Sequence, residues 1–368
     1  MSSQVENFAP DWVSTPGDTI LDLMEERDWN QVELANRLGF STKHLNQLIK
    51  GKVTLTYDTA QKLERVFGST ASFWMNRETK YRQHVARLEA EQNYKSWVDW
   101  LDDVPVNELK KIGAIENIKS IASNKPKLVE HLLSFFGVAS PDEWKRYYGD
   151  AMPAKFRKTN EEQADNGAIS AWLRLGEKEA EKTSAPKYNR SKFESAVNKI
   201  RELTVRSPAD FEPTLFELCL EAGVKLILVK AITKSHVSGV ARWLNGHSPI
   251  IQLSLYGKAN DKFWFTFFHE AAHILLHSDE KSDIFLDNTD FKSQDQQEQE
   301  ANRWAGNILI PEEYRFELAS LRVRDEIIEF SKRINIHPGI VVGRLQHEGH
   351  ISYPSVLNKL KDSFEIVA

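Results

Sequence analysis

Apolar residues return three and four positions apart along most of this chain, the spacing of helices with one buried face, and a single stretch departs from it. Pro16-Gly17-Asp18 opens a helix carrying Ile20, Leu21 and Met24. Asn30 with Glu33 starts a second, Gln31 to Leu38, which Gly39 ends. Ser41 caps a third that runs to Ile49 with Gly51 as its stop, and residues 56–67 make a fourth. From Trp97 to about Pro208 the pattern stays helical, and Trp97, Trp100 and Trp144 read as core aromatics. Near Phe211 the period changes. A helix over 213–222 leads into three β-type runs, 224–229, 237–243 and 249–255, the last two joined by an Asn245-Gly246 hairpin turn. An apolar helix from Asp261 to about His277 follows, then an acidic connector that reads as a solvated loop or a lid. A helix over 296–310, stopped by Pro311, and a helical tail complete the chain.

Composition narrows the classes. Of the 368 residues, 41% are hydrophobic and 27% charged, ordinary values for a folded chain and wrong for a disordered one. A net charge of −5 excludes a protein that coats nucleic acid indiscriminately, though not a local basic face. Cys219 is the single cysteine, which excludes an intramolecular disulfide and a thiolate metal cluster. The first residues lack the cationic and apolar regions of a secretory signal, and the most apolar run, 263–268, is too short to span a bilayer. The expectation is a cytoplasmic protein with no membrane partner.

Two short helices joined by a Gly-containing turn, Gln31 to Leu38 and then residues 41–49, have the helix-turn-helix layout. Leu34, Ala35, Leu38, Leu45, Leu48 and Ile49 supply its buried faces. Outward on the second helix lie Thr42, Lys43, His44, Asn46, Gln47 and Lys50, with Lys52 just beyond; this segment has three lysines and no carboxylate. Lysines there suit phosphates, Thr42, Asn46 and Gln47 suit base edges, and Gln31 is placed to touch the phosphate backbone. The Gln31-x-x-Leu34-Ala35-x-x-Leu38-Gly39 core, with Pro16-Gly17, Gly51-Lys52 and Phe73-Trp74 around it, resembles the Xre-type helix-turn-helix of HigA-like antitoxins. That resemblance implies operator DNA as a partner, a homodimer, and autoregulation of a toxin–antitoxin operon.

His269-Glu270-Ala271-Ala272-His273 is an H-E-x-x-H motif. On a helix, two imidazoles four apart face one ion and Glu270 sits beside it. A catalytic zinc needs a third protein ligand and an open position. In the following helix Glu298, Ala301, Asn302, Ala305 and Leu309 share one face, so Glu298 is the expected ligand and Glu300 the alternative. His277 reads as a supporting or capping residue, and the remaining histidines as structural or exposed. The series His269-Glu270-x-x-His273 … Glu298-x-Glu300-Ala301-Asn302-x-x-Ala305-x-x-x-Leu309-x-Pro311 resembles the ImmA/IrrE family of metallopeptidases, Trp304 standing where Phe is usual. The resemblance implies Zn2+ held by His269, His273 and Glu298. It also implies peptide hydrolysis with Glu270 as the base and a protein substrate such as a repressor. Residues 249–254 would offer the substrate a strand edge, and Tyr256 and Arg242 are candidates for a second oxyanion donor.

The expected fold is therefore mainly α and multidomain. A leader covers 1–15, a five-helix helix-turn-helix domain 16–90 and a helical middle 91–208. An α+β zincin-like domain with a small antiparallel sheet covers 209–311, and a helical extension 312–368. The expected function is a DNA-binding regulator or antitoxin with a zinc-dependent endopeptidase domain that cleaves a repressor or toxin. The other reading is a non-proteolytic HigA-like antitoxin whose zincin-like domain holds a cognate toxin or senses a signal.

Overall fold

The computed structural model describes residues 14–150, 165–244, 247–254, 259–277, 285–288 and 296–363. The chain forms two compact units, one ending at Trp97 and one beginning at Val98. The Asn245-Gly246 turn, Tyr256, nearly all of the leader and most of the acidic connector lie outside the described residues. Among those described, no helix is long and apolar enough to cross a membrane.

The first unit is five helices: α1 (Pro16–Glu25), α2 (Gln31–Leu38), α3 (Thr42–Ile49), α4 (Tyr57–Phe67) and α5 (Ala71–Ser96). Their starts are written in capping side chains. Asn30 Oδ1 accepts the Glu33 N–H at 2.9 Å and Ser41 Oγ accepts the His44 N–H at 3.1 Å, each satisfying a donor that the helix leaves open. Gly39 ends α2 at φ +69°, a conformation that a side chain would strain, and so sets the sharp turn into α3. Ile20, Leu34, Leu45, Leu55, Leu63 and Trp74 are sealed in the core. Buried Glu78 of α5 accepts the Leu55 N–H at 3.2 Å and Arg82 Nε at 2.8 Å. Arg82 also donates to the carbonyls of Gly51 and Val53, so the segment that follows α3 is pinned from behind.

The second unit begins with helices α6 (Val106–Lys111), α7 (Lys125–Phe136), α8 (Asn166–Glu181), α9 (Arg190–Leu203) and α10 (Pro208–Glu221). Trp100 and Trp144 are buried and meet edge to face at 5.7 Å, as core residues do. Helix α10 starts five residues before the expected Pro213, because Ser207-Pro208 supplies the start and Pro213 lies inside the helix. Strands β1 (Lys225–Leu228), β2 (Val237–Leu244), β3 (Ser248–Leu253) and β4 (Phe285–Asn288) form one sheet in the order β1-β3-β2-β4. The sheet is mixed where an antiparallel one was expected: β3 pairs antiparallel with β2 but parallel with β1. β3 is thus interior, its backbone paired on both sides, and residues 249–254 offer a substrate no edge. β4 falls within the acidic connector, where the residue pattern announces no strand.

Helix α11 (Asn260–Leu276) packs on the sheet face that carries Ala241, Ile251 and Leu253. Helix α8 lies on the other face, where Ala180 packs with Ile227 and Ile250. Helices α12 (Gln296–Leu309), α13 (Arg324–Arg333) and α14 (Pro338–His347) complete a core with Trp264, Phe267, Phe268 and Phe330 fully enclosed. The start of α11 is tied to the last described residues. The Asn260 N–H donates to the Asp362 carbonyl at 2.9 Å, Lys361 Nζ meets Asp261 Oδ2 at 2.5 Å, and Ala259 bridges Ser363.

Candidate functional site

Helix α11 is buried on nearly every side, so His269, Glu270 and His273 sit in the interior with at most 1% of their surface exposed. The Nε2 atoms of the two imidazoles face each other at 3.0 Å. Into the same space α12 extends Glu298, its Oε2 3.2 Å from His269 Nε2 and its Oε1 3.4 Å from His273 Nε2. What brings Glu298 there is the packing face of its helix: Ala301, Ala305 and Leu309 are buried, and the small residues let α12 lie close on α11. Arg201 of α9 fixes the far end of α12 by donating to the carbonyls of Ile308 and Leu309.

One atom from each of His269, His273 and Glu298 lies within 4.8 Å of the other two, a group able to hold a metal ion. Two imidazole nitrogens and a carboxylate oxygen are a donor set suited to a borderline-soft divalent cation. The electrostatics agree with it. Burial pushes the His273 imidazole down to about 4, which keeps its lone pair free of a proton at neutral pH. Burial opposes the charge on Glu298, but hydrogen bonds from His269 and His273 outweigh it and hold the carboxyl well below its usual range.

Glu270 is fully buried under β2, and the residue above it is Gly239. A Cβ at that position would come 2.7 Å from Glu270 Oε1 and 2.6 Å from Thr266 Cγ2, so the strand crosses the helix at a distance only glycine allows. Glu300, the alternative ligand, reaches His277 instead: Oε2 is 3.3 Å from His277 Nε2. His277 Nδ1 in turn lies 3.1 Å from His273 Nδ1. Gln296 and His277 hold the Glu300 carboxyl below its usual range.

Arg242 is no oxyanion donor. It stands three residues from Gly239 on β2, hence on the opposite face of the sheet. Its guanidinium binds Glu177 Oε1 at 2.6 Å and the Leu173 carbonyl at 2.8 Å. Glu177 also takes Arg174 at 2.8 Å and the Tyr148 hydroxyl at 3.2 Å, making a buried charge network. Nothing in the residue pattern marked this network, nor Gly239, nor the clamp of His337 on Asn260 at 2.6 Å, which orients the start of α11. His337, one of the histidines that read as structural or exposed, caps α14.

In the first unit, Thr42, Lys43, Lys50 and Lys52 are exposed, while His44, Asn46, Gln47 and Gln31 are half-buried. Asn46 Nδ2 donates to Gln31 Oε1 at 3.3 Å, joining α3 to the head of α2. His44 packs edge to face on Phe40 at 4.8 Å. At about 100° per residue Thr42, Lys43, Asn46, Gln47 and Lys50 fall within about 140° of one another around α3, and His44 lies outside that arc.

No curated protein matches the chain. Residues 20–74 match the family described as helix-turn-helix, and residues 221–346 match the family described as IrrE N-terminal-like domain. The second match includes both helices that carry the histidine and glutamate group and runs on through most of α14. The chain thus joins a helix-turn-helix of the DNA-binding type to a metallopeptidase-like, IrrE N-terminal-like domain.

Proposed function

We propose that this protein is a DNA-binding transcriptional regulator of the toxin–antitoxin type whose second unit is a zinc-dependent endopeptidase acting on a protein partner, a repressor or a toxin. The observation that carries the reading is the convergence of His269, His273 and Glu298 beside fully buried Glu270. Those three residues would hold zinc, which when bound polarises water and a peptide carbonyl. Glu270 takes the proton of the attacking water and returns it to the leaving amine. Gly239 gives Glu270 the room to do so, and neutral His273 keeps its nitrogen available at physiological pH.

In the first unit Lys43, Lys50 and Lys52 meet phosphates, and Thr42, Asn46 and Gln47 meet base edges in the major groove, with His44 on the same helix at the margin of the DNA-facing side. Gln31 steadies Asn46 and reaches the backbone. Two copies, acting in the cytoplasm, bind a two-fold operator as helix-turn-helix proteins commonly do.

Two variants test this. Glu270→Gln retains zinc by elemental analysis and stops cleavage of the partner; if regulation or toxin neutralisation survives intact, the second unit holds its partner or senses a signal without cutting it. Asn46→Ala with Gln47→Ala abolishes operator-specific binding in a gel-shift titration; undiminished binding refutes the assignment of α3.

A further inference from the structure

Histidines 269, 273 and 277 lie four apart on α11. At 100° per residue each step of four turns the side chain by about 40°, so by His277 the direction has swung about 80° from that of His269. His277 stands behind His273 rather than beside it, and the contact it makes is nitrogen to nitrogen, 3.1 Å between the two Nδ1 atoms. Its far nitrogen faces Glu300 Oε2 at 3.3 Å.

A His273 that binds an ion through Nε2 fixes where the protons lie along these two contacts. His273 can bind an ion through Nε2 only if that nitrogen carries the lone pair, so its proton is on Nδ1. That N–H donates to His277 Nδ1, which must then be bare. The His277 proton accordingly sits on Nε2 and donates to the Glu300 carboxylate. The reverse polarity would put a proton on His273 Nε2, in the ligand position, and turn a His277 lone pair toward a carboxylate. Glu300 thereby selects the arrangement that frees His273.

We infer that His277 and Glu300 are positioning residues that fix the metal-binding tautomer and the orientation of His273. The inference rests on the proposed metal reading and deepens it: carboxylate, imidazole and ligand imidazole form a relay that acts on the ion through His273. Outer partners of this kind alter metal affinity by about 10- to 100-fold when removed.

The test uses the full chain with zinc alone, titrated against a competing chelator at pH 7, and with Co2+ for its absorption spectrum. His277→Leu keeps bulk but cannot hydrogen bond, and its zinc affinity falls by about 10- to 100-fold with a changed Co2+ spectrum. His277→Gln, whose carbonyl accepts from His273 while its amide donates to Glu300, restores affinity to within a few-fold of the parent. Glu300→Ala, at a half-exposed position, weakens zinc in the same direction by less. Nitrogen-15 spectra of the zinc form show the His277 proton on Nε2. Unchanged zinc affinity in His277→Leu and Glu300→Ala, a Gln variant as weak as the Leu variant, or a proton on His277 Nδ1 overturns the inference while the metal site stands. A parent protein that takes up no zinc overturns the metal reading and this inference together. If His277→Leu does not fold, Glu300→Ala and the spectra decide.

Discussion

Gly239→Ala adds one methyl where β2 crosses α11, and its cost follows from two distances. The new Cβ would sit 2.6 Å from Thr266 Cγ2, against about 3.5–4.0 Å for a comfortable carbon contact, an overlap of about 1 Å. Thr266 is buried, and a β-branched side chain inside a helix has little freedom to rotate away. Helix α11 cannot retreat either, since Asn260 and Asp261 are fastened at its start. Forcing one extra methyl into such a contact costs about 1–3 kcal/mol. Urea denaturation measures this as a lower midpoint at unchanged slope. Thr266→Ser removes the struck methyl, so the double variant recovers part of the loss, with a coupling of about 1 kcal/mol or more. The methyl would still meet Glu270 Oε1 at 2.7 Å, so the double variant regains stability while the Glu270 carboxyl stays crowded. A Gly239→Ala midpoint equal to the parent's, or a cycle that closes additively within about 0.5 kcal/mol, refutes the close-approach argument.

Three further outcomes are expected. Glu177→Ala leaves the buried Arg242 guanidinium without its carboxylate, while Arg174 keeps Glu181, and costs about 3–5 kcal/mol in urea denaturation; a loss under about 1 kcal/mol would mean that the network carries no such weight. Cys219 is fully buried and its thiol is pushed up by that burial, so it stays silent to a thiol reagent in native protein and reacts once the chain is unfolded; prompt native labelling contradicts the core placement. Because His273 sits at about 4 when folded and an unfolded histidine near 6.5, the unfolded chain binds more protons between those values, and stability falls as pH drops through that window. The deficit reaches about 3 kcal/mol near pH 4, and chelator-treated protein whose urea midpoint is flat from pH 7 to 4 would contradict it.

Short-range features were the legible ones. Asn30, Gly39, Ser41 and Thr56 fix α2, α3 and α4 within a residue, because a cap or a left-handed glycine is decided by neighbours in sequence. Glu298 beside the histidine pair was readable because Ala301, Ala305 and Leu309 mark which side of α12 packs. Pairing was not legible: whether β1 joins β3 parallel depends on the path of the chain between them, and β4 follows from its partner β2 more than from its own residues. The polarity of the Glu300–His277–His273 row was also hidden, since it needs two helices placed side by side.

The fastening at the start of α11 has a reach beyond its own residues. His337, Lys361 and Asp362 hold the first turn of the helix that, about two to four turns later, presents both imidazoles. A cut or frameshift after Leu360 would remove the last two of these ties, about ninety positions downstream of the motif in sequence. Damage at that remote point would be read out at the histidine pair, so a mutational scan in which metal binding fails near Lys361 would be seeing a loosened hinge pin and not a missing ligand.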